Sequence, residues 1–429
     1  MDDFEFFGSK LVKCLNKSAT EIIIPDDVTE IESFAFADCT KLISVFIPKS
    51  VSKVGMGMFA GCTNLESIKV DENNEWFDSR ENCNAIIGRS LFRRSHDTAL
   101  LAGCKSTIIP KGVTLIEEQA FIGCSGLTSI EIPDSVESIE EGAFSGCSGL
   151  TSIEIPDSVE SIREGAFSGC TGLTSIFIPA SVTHIGFEVF KGCVNLESIK
   201  VDENNECYDS RDNCNAINGW KSGPFSVTSH MDLLAGCKNT VIPKGIEVIQ
   251  SHAFHHVTDL TSINIPDSVT VICDDAFNGC TGLTSINIPD SVTYIGFGAF
   301  EGCTGLTSIS IPHSVRKIED GAFLYCTNLV NVEIQNGIEY IGAPFDGCSS
   351  LNSLTFPESI KSISTISFGK CDKLKELHIK HTNPFVIEFY IHKILPCIAQ
   401  QCTLYVPAGT EHMYREHIVF GQFKNIVGE

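Results

Sequence analysis

Apolar and polar positions along this chain recur in one dominant register. Residues 127–149 read LTSIEIPDSVESIEEGAFSGCSG and residues 150–172 read LTSIEIPDSVESIREGAFSGCTG, differing at two positions. A large aromatic marks the repeat. Phe36, Phe59, Phe121, Phe144, Phe167, Phe190, Phe254, Phe277, Phe300, Phe323, Phe345 and Phe368 stand mostly 23 residues apart, with two longer steps of 62 and 64. Within a unit, Leu150, Ile153 and Ile155 follow L-x-x-I-x-I, and the last two alternate as one buried face of a short strand requires. Pro156 ends the strand because it has no N–H to give a ladder. Val159 and Ile162, three apart, suit either an extended segment or a tight helical turn. Gly165, Ala166, Phe167, Gly169 and Cys170 then close a sharp corner around a large apolar anchor.

A unit this small has one inward apolar set and nothing to bury it against, so neighbours must stack. The predicted fold is a right-handed, curved solenoid of short parallel strands with tight helical or 3-10 corners. Counting every I-P strand, including those before Pro25, Pro110, Pro243 and Pro407, gives about sixteen strands. Residues 1–20 form a lead-in, 21–380 the solenoid, and 381–429 a closing strand and cap. The long steps are insert modules at 71–107 and 202–240. They contain the near copies VDENNEWFDSRENCNAI (70–86) and VDENNECYDSRDNCNAI (201–217), followed by LLAGCKSTIIPKGV (100–113) and LLAGCKNTVIPKGI (233–246).

The pattern L-x-x-I-x-I-P-x-S-V-x-x-I-x-x-x-A-F-x-x-C resembles the 23-residue leucine-rich repeat of BspA-like proteins over roughly residues 18–380. The stretch CTLYVPAGTEHMYREHIVFGQFKNIV (402–427) is similar to that family's C-terminal cap. The resemblance implies a leucine-rich repeat solenoid and a non-catalytic protein-interaction or adhesion role, since the family is associated with attachment to host extracellular proteins. It also implies a cell-surface or secreted location.

Charge narrows the partners. Fifty-four Asp and Glu against 30 Lys and Arg leave −24 over 429 residues, which repels phosphate backbones and anionic headgroups, so nucleic acid and membrane insertion are not expected. No run approaches the apolar length of a membrane helix, and MDDFEFFGSKLVKCLNK has neither a basic n-region nor an apolar h-region. The residues therefore leave open an intracellular scaffold or effector using the same surface, and the Thr and Ser periodicity leaves open carbohydrate binding.

Eleven of the 20 cysteines are the repeat Cys, such as Cys147, Cys170 and Cys303, and they read as a ladder of buried reduced thiols. Val257 stands at the same position in the coil of Phe254, which points to packing rather than redox or metal chemistry. Cys83 with Cys104, and Cys214 with Cys237, flank the inserts and are candidate disulfides, with four buried thiols as the alternative. No metal or cofactor is expected. His252, His255 and His256 lack an obvious fourth ligand and read as a surface cluster. Asp71, Glu72, Asn73, Asn74 and Asp78, repeated at Asp202, Glu203, Asn204, Asn205 and Asp209, offer oxygen ligands for calcium, but an Asn-rich turn needs no ion. No nucleophile elbow or phosphate loop is present, and GMGMFAG and GFGAFEG are corner glycines of the repeat.

In a repeat array the framework positions recur and the outward ones vary, so variable strand residues form the expected contact surface. The residue between the two Ile of each strand gives a heterogeneous track that includes Glu131, Glu154, Phe177, Lys200, Asn264, Asn287 and Ser310. Phe177, between Glu154 and Lys200 on adjacent coils, is the expected anchor for a partner protein. Phe187 and Phe297, each after a corner Gly, are expected to pack against the convex side.

Overall fold

The structure, a computed structural model, describes residues 3–90, 97–220, 231–363, 368–389 and 396–429. The chain forms two compact units, Met1–Ser210 and Arg211–Glu429. Each is a β-solenoid built from the same coil.

A regular coil contributes two short strands. The I-P segment is one: Ser175–Ile178 pairs in parallel with Ser198–Val201, its residues alternating exposed and buried, and Phe177 lies in register with Lys200. The V-x-x-I segment is the other, and it is extended. Ser161–Ile162 lies between Ser138–Ile139 and His184–Ile185 in a second parallel ladder. The tight corners are successive turns closed by i→i+3 bonds of the 3-10 type, in which Ala166 N–H donates to Arg163, Cys170 to Phe167 and Leu173 to Cys170. Gly165 and Gly169, at φ 59° and 69°, supply the left-handed residues that interrupt a helical run.

The Phe marks form the spine of each unit. Phe121, Phe144 and Phe167 are buried and stacked, with centroids 5.0 and 5.6 Å apart. Phe254, Phe277, Phe300 and Phe323 stack likewise at 4.9 to 5.3 Å. Coils are also tied by side chains. The Ser of the PDSV turn donates to the coil before it, as Ser158 does to the Val136 carbonyl at 2.7 Å and Ser291 to Val269 at 2.6 Å.

The repeat Cys does more than fill space. Cys147, Cys170 and Cys193 each donate S–H to the Phe carbonyl of the preceding coil at 3.1 to 3.2 Å, and Cys280, Cys303, Cys326, Cys348 and Cys371 do the same. The two coils that follow an insert lack this bond among the described residues. Cys124 and Val257 both stand in coils without this bond, so the position tolerates either a thiol or an aliphatic side chain there and packing is the role common to all coils.

The inserts are antiparallel hairpins, Ile86–Arg89 with Thr98–Ala102 and Ala216–Trp220 with Met231–Gly236. The LLAG motif has a steric cause. A Cβ on Gly103 would lie 2.1 Å from the Phe121 ring, and one on Gly236 2.2 Å from that of Phe254, so glycine makes room for the next coil's aromatic. The lead-in is a third hairpin, Phe4–Phe7 with Lys10–Cys14, and Phe4 meets Phe36 edge-on at 6.5 Å. At the other end, Thr403–Val406 pairs with Asn425–Gly428, and the short helix Glu411–Glu416 buries Tyr414.

The strand-lined face is less regular than the sequence implies. Strands form at Phe46, Lys69, Phe177, Lys200, Ser310, Glu333, Thr355, His378 and Tyr405, and Asn264 and Asn287 make only an isolated bridge. The segments around Ile108, Glu131, Glu154 and Val241 form no strand.

Candidate functional site

The interruption at Glu131 and Glu154 coincides with a groove of about 1370 Å³ on the strand face of the first unit. Coils 127–133 and 150–156 (LTSIEIP) differ from 260–266 and 283–289 (LTSINIP) only at the central residue. The Asn pair makes a bridge and the Glu pair makes none. Two carboxylates at strand spacing, ~4.8 Å, repel by roughly 1 kcal/mol even at the dielectric of water, which matches the net worth of one ladder hydrogen bond. Like charges in register add an unfavourable term to pairing here, and the neighbouring Ile108–Glu131, Glu154–Phe177 and Val241–Asn264 positions form no ladder either. Only the Thr128 carbonyl still accepts from Thr151 N–H, at 3.4 Å, and the backbone groups of 129–132 and 152–155 bond to no protein partner among the described residues.

Four carboxylates, those of Glu131, Asp134, Glu154 and Asp157, line this groove with one cation, Lys200, and none of these five is in an ion pair among the described residues. Phe177 stands in the groove with 48% of its surface exposed. The structure thus brings Glu131, Glu154, Phe177 and Lys200 together. Asn264, Asn287 and Ser310 belong to the second unit, where Ser310 Oγ donates to Glu333 at 3.2 Å beside a smaller groove of about 310 Å³.

The other candidates resolve individually. Cys83 and Cys104 are buried free thiols, directed to different carbonyls, those of Ala85 and Asn84, and Cys214 and Cys237 repeat this with Ala216 and Asn215. The geometry therefore offers the two candidate disulfides no support. Burial pushes the Cys83 thiol up to about 11 and the Cys124, Cys170 and Cys280 thiols up to about 12, so these sulfurs are protonated packing groups rather than nucleophiles. The DENN oxygens are engaged by their own turn. Asp71 accepts from Asn73 N–H at 2.8 Å, while Asn74 donates to the Pro48 and Val51 carbonyls and accepts from Trp76 and Phe77; Asp202 and Asn205 repeat the pattern. The histidines are not all at the surface as expected: His255 is buried and stacks on both His252 and His256. Phe187 and Phe297 are 57% and 50% exposed. They align with Glu164 and Asp274 of the coils before them, an outward corner position.

Trp76 was not singled out by the repeat pattern. It is 62% exposed beside a groove of about 670 Å³ that also holds Glu30, Glu32, Lys53 and Arg89. The signal was available in the comparison of the near-identical inserts, where Trp76 faces Cys207.

Stacked 23-residue coils with parallel strands, a Phe spine and an outward strand face define a leucine-rich repeat solenoid. The chain belongs to the family of BspA type leucine-rich repeat regions, whose model matches in six copies over residues 13–94, 100–216, 234–344 and 343–391. Among solved structures it is similar to a leucine-rich cell surface protein of Faecalibacterium prausnitzii A2-165, at 26% identity over 86% of this chain and 90% of that one, with a TM-score of 0.55. It shares its fold with the pneumococcal vaccine antigen PcpA, at 21% identity over 99% of this chain and 95% of that one, with a TM-score of 0.56. No curated protein matches the chain. No helix among the described residues is long and apolar enough to cross a membrane.

Proposed function

We propose that this chain is a non-catalytic protein-interaction or adhesion module that binds a partner protein along the strand face of its first unit. The observation that carries the reading is the groove at Glu131, Glu154, Phe177 and Lys200, where an exposed aromatic stands among unpaired charges. Buried by a partner, such an aromatic is the kind of anchor that contributes ~2 kcal/mol or more. Leucine-rich repeat proteins generally bind proteins, and the Faecalibacterium relative is a cell surface protein, which supports a role in contact with a host or neighbouring cell. The repeat thiols of Cys170 and Cys280, buried and pushed up to about 12, serve packing rather than chemistry, which supports a binding role.

The test is affinity capture with mass spectrometry, using wild type, Phe177→Ala/Glu154→Gln, and the outward-corner variant Phe187→Ala as baits. A protein held by wild type and Phe187→Ala but lost by the strand-face variant supports the reading. Partners retained equally by all three place binding elsewhere.

A further inference from the structure

We infer that the occupant of the groove in the first unit is an extended, basic polypeptide segment whose Lys or Arg side chains insert between Glu131 and Glu154 and whose apolar residue packs on Phe177. The inference rests on the strand-face reading and adds the chemistry of the partner.

Three independent features converge on it. The first is charge: four carboxylates oppose one lysine in the groove, with no ion pair among the described residues to neutralise any of them. The second is the interrupted ladder. The carbonyls of 129–132 and 152–155 accept no protein hydrogen bond, so acceptors lie beneath the carboxylates, and a cationic side chain finds both. The third is the register of the two carboxylates on adjacent coils. Glu131 and Glu154 repel in register, and a cation placed between them converts that repulsion into two attractions. An acidic partner would add to the repulsion, and a neutral one would leave it in place. Phe177, one coil further on beside Lys200, fixes where the apolar contact falls and sets the basic residues toward Glu131.

The test is fluorescence anisotropy on the full chain with a labelled 12-residue peptide that alternates Lys and Ser around a central Leu, against otherwise identical peptides with Gln or Glu in place of Lys. The Lys peptide is expected to bind, with affinity falling on the order of tenfold between low and moderately high salt. Glu131→Gln/Glu154→Gln should weaken it at least about tenfold and Phe177→Ala several-fold. Glu203→Gln/Asp259→Asn, which removes the same charge elsewhere, should leave it unchanged and so separates docking from attraction to the net charge of −24. No binding of the Lys peptide, equal binding of the Gln peptide, or equal losses for the two double variants would overturn the inference. So would a calorimetric calcium signal abolished by Glu131→Gln/Glu154→Gln without any peptide binding. A captured protein lost on Phe177→Ala but indifferent to Glu131→Gln/Glu154→Gln overturns the basic occupant while leaving the strand-face reading intact.

Discussion

The Cys170 thiol donates to the Phe144 carbonyl oxygen, 3.2 Å away and one coil back. The same carbonyl accepts the Cys147 N–H, so each Phe oxygen in the regular coils closes its own corner and receives the next coil's thiol. Where the bond is missing, the same position holds Cys124 in one coil and Val257 in the other. Cys170→Val should lower stability by ~0.5–1 kcal/mol more than Cys124→Val, since only the first removes a donor from a Phe carbonyl. Paired urea titrations of the two variants measure this difference directly, and equal losses would return the ladder to packing alone.

The Glu pair offers a second test, of opposite sign. Glu131→Asn/Glu154→Asn copies the LTSINIP coils and removes the like charges from register. Amide exchange at 130–132 and 153–155 should slow as the ladder closes, with stability rising by up to about 1 kcal/mol. Unchanged protection would mean that something other than charge holds these coils apart.

Thiol counting addresses the insert cysteines. Under denaturing, non-reducing conditions the chain should titrate all 20 cysteines, because the insert thiols of Cys83, Cys104, Cys214 and Cys237 are directed at backbone carbonyls. A count of 16 in protein isolated from its natural compartment would establish both bridges there.

Stability should also depend on alkaline pH. Burial pushes the Cys170 and Cys280 thiols up to about 12 from an ordinary 9.0, and Cys147, Cys303 and Cys326 move well above it. The folded state keeps these protons where the unfolded chain releases them. The contribution is therefore complete below about pH 9 and is lost as pH rises through the folded values. The urea midpoint should fall between pH 8 and pH 10.5, and Cys170→Ala/Cys280→Ala should fall less steeply.

The coil itself was legible in the sequence because its signals are periodic: Phe144 and Phe167 mark the spine, Ile153 and Ile155 the strand, and Pro156 its end. The placing of Glu131, Glu154, Phe177 and Lys200 on one face followed from the same period. What the period could not carry were effects between coils. Which strand-face segments pair and which Cys meets a Phe carbonyl are relations between coils 23 or more residues apart, which look independent in one dimension. The corners are tight i→i+3 turns, broken from a continuous helix by the left-handed glycines at 165 and 169.

The thiol–carbonyl bond has a consequence for how such a chain changes length. Each regular coil presents a donor on one side and an acceptor on the other, in the same atoms, as do the Ser158 hydroxyl and the Val159 carbonyl that receives Ser181. A 23-residue coil spliced between two regular ones therefore finds a matching surface above and below, whereas one spliced next to an insert hairpin does not. Residues 127–149 and 150–172, nearly identical, have the form of such an exchangeable part: the protein's grammar permits it to grow by whole words.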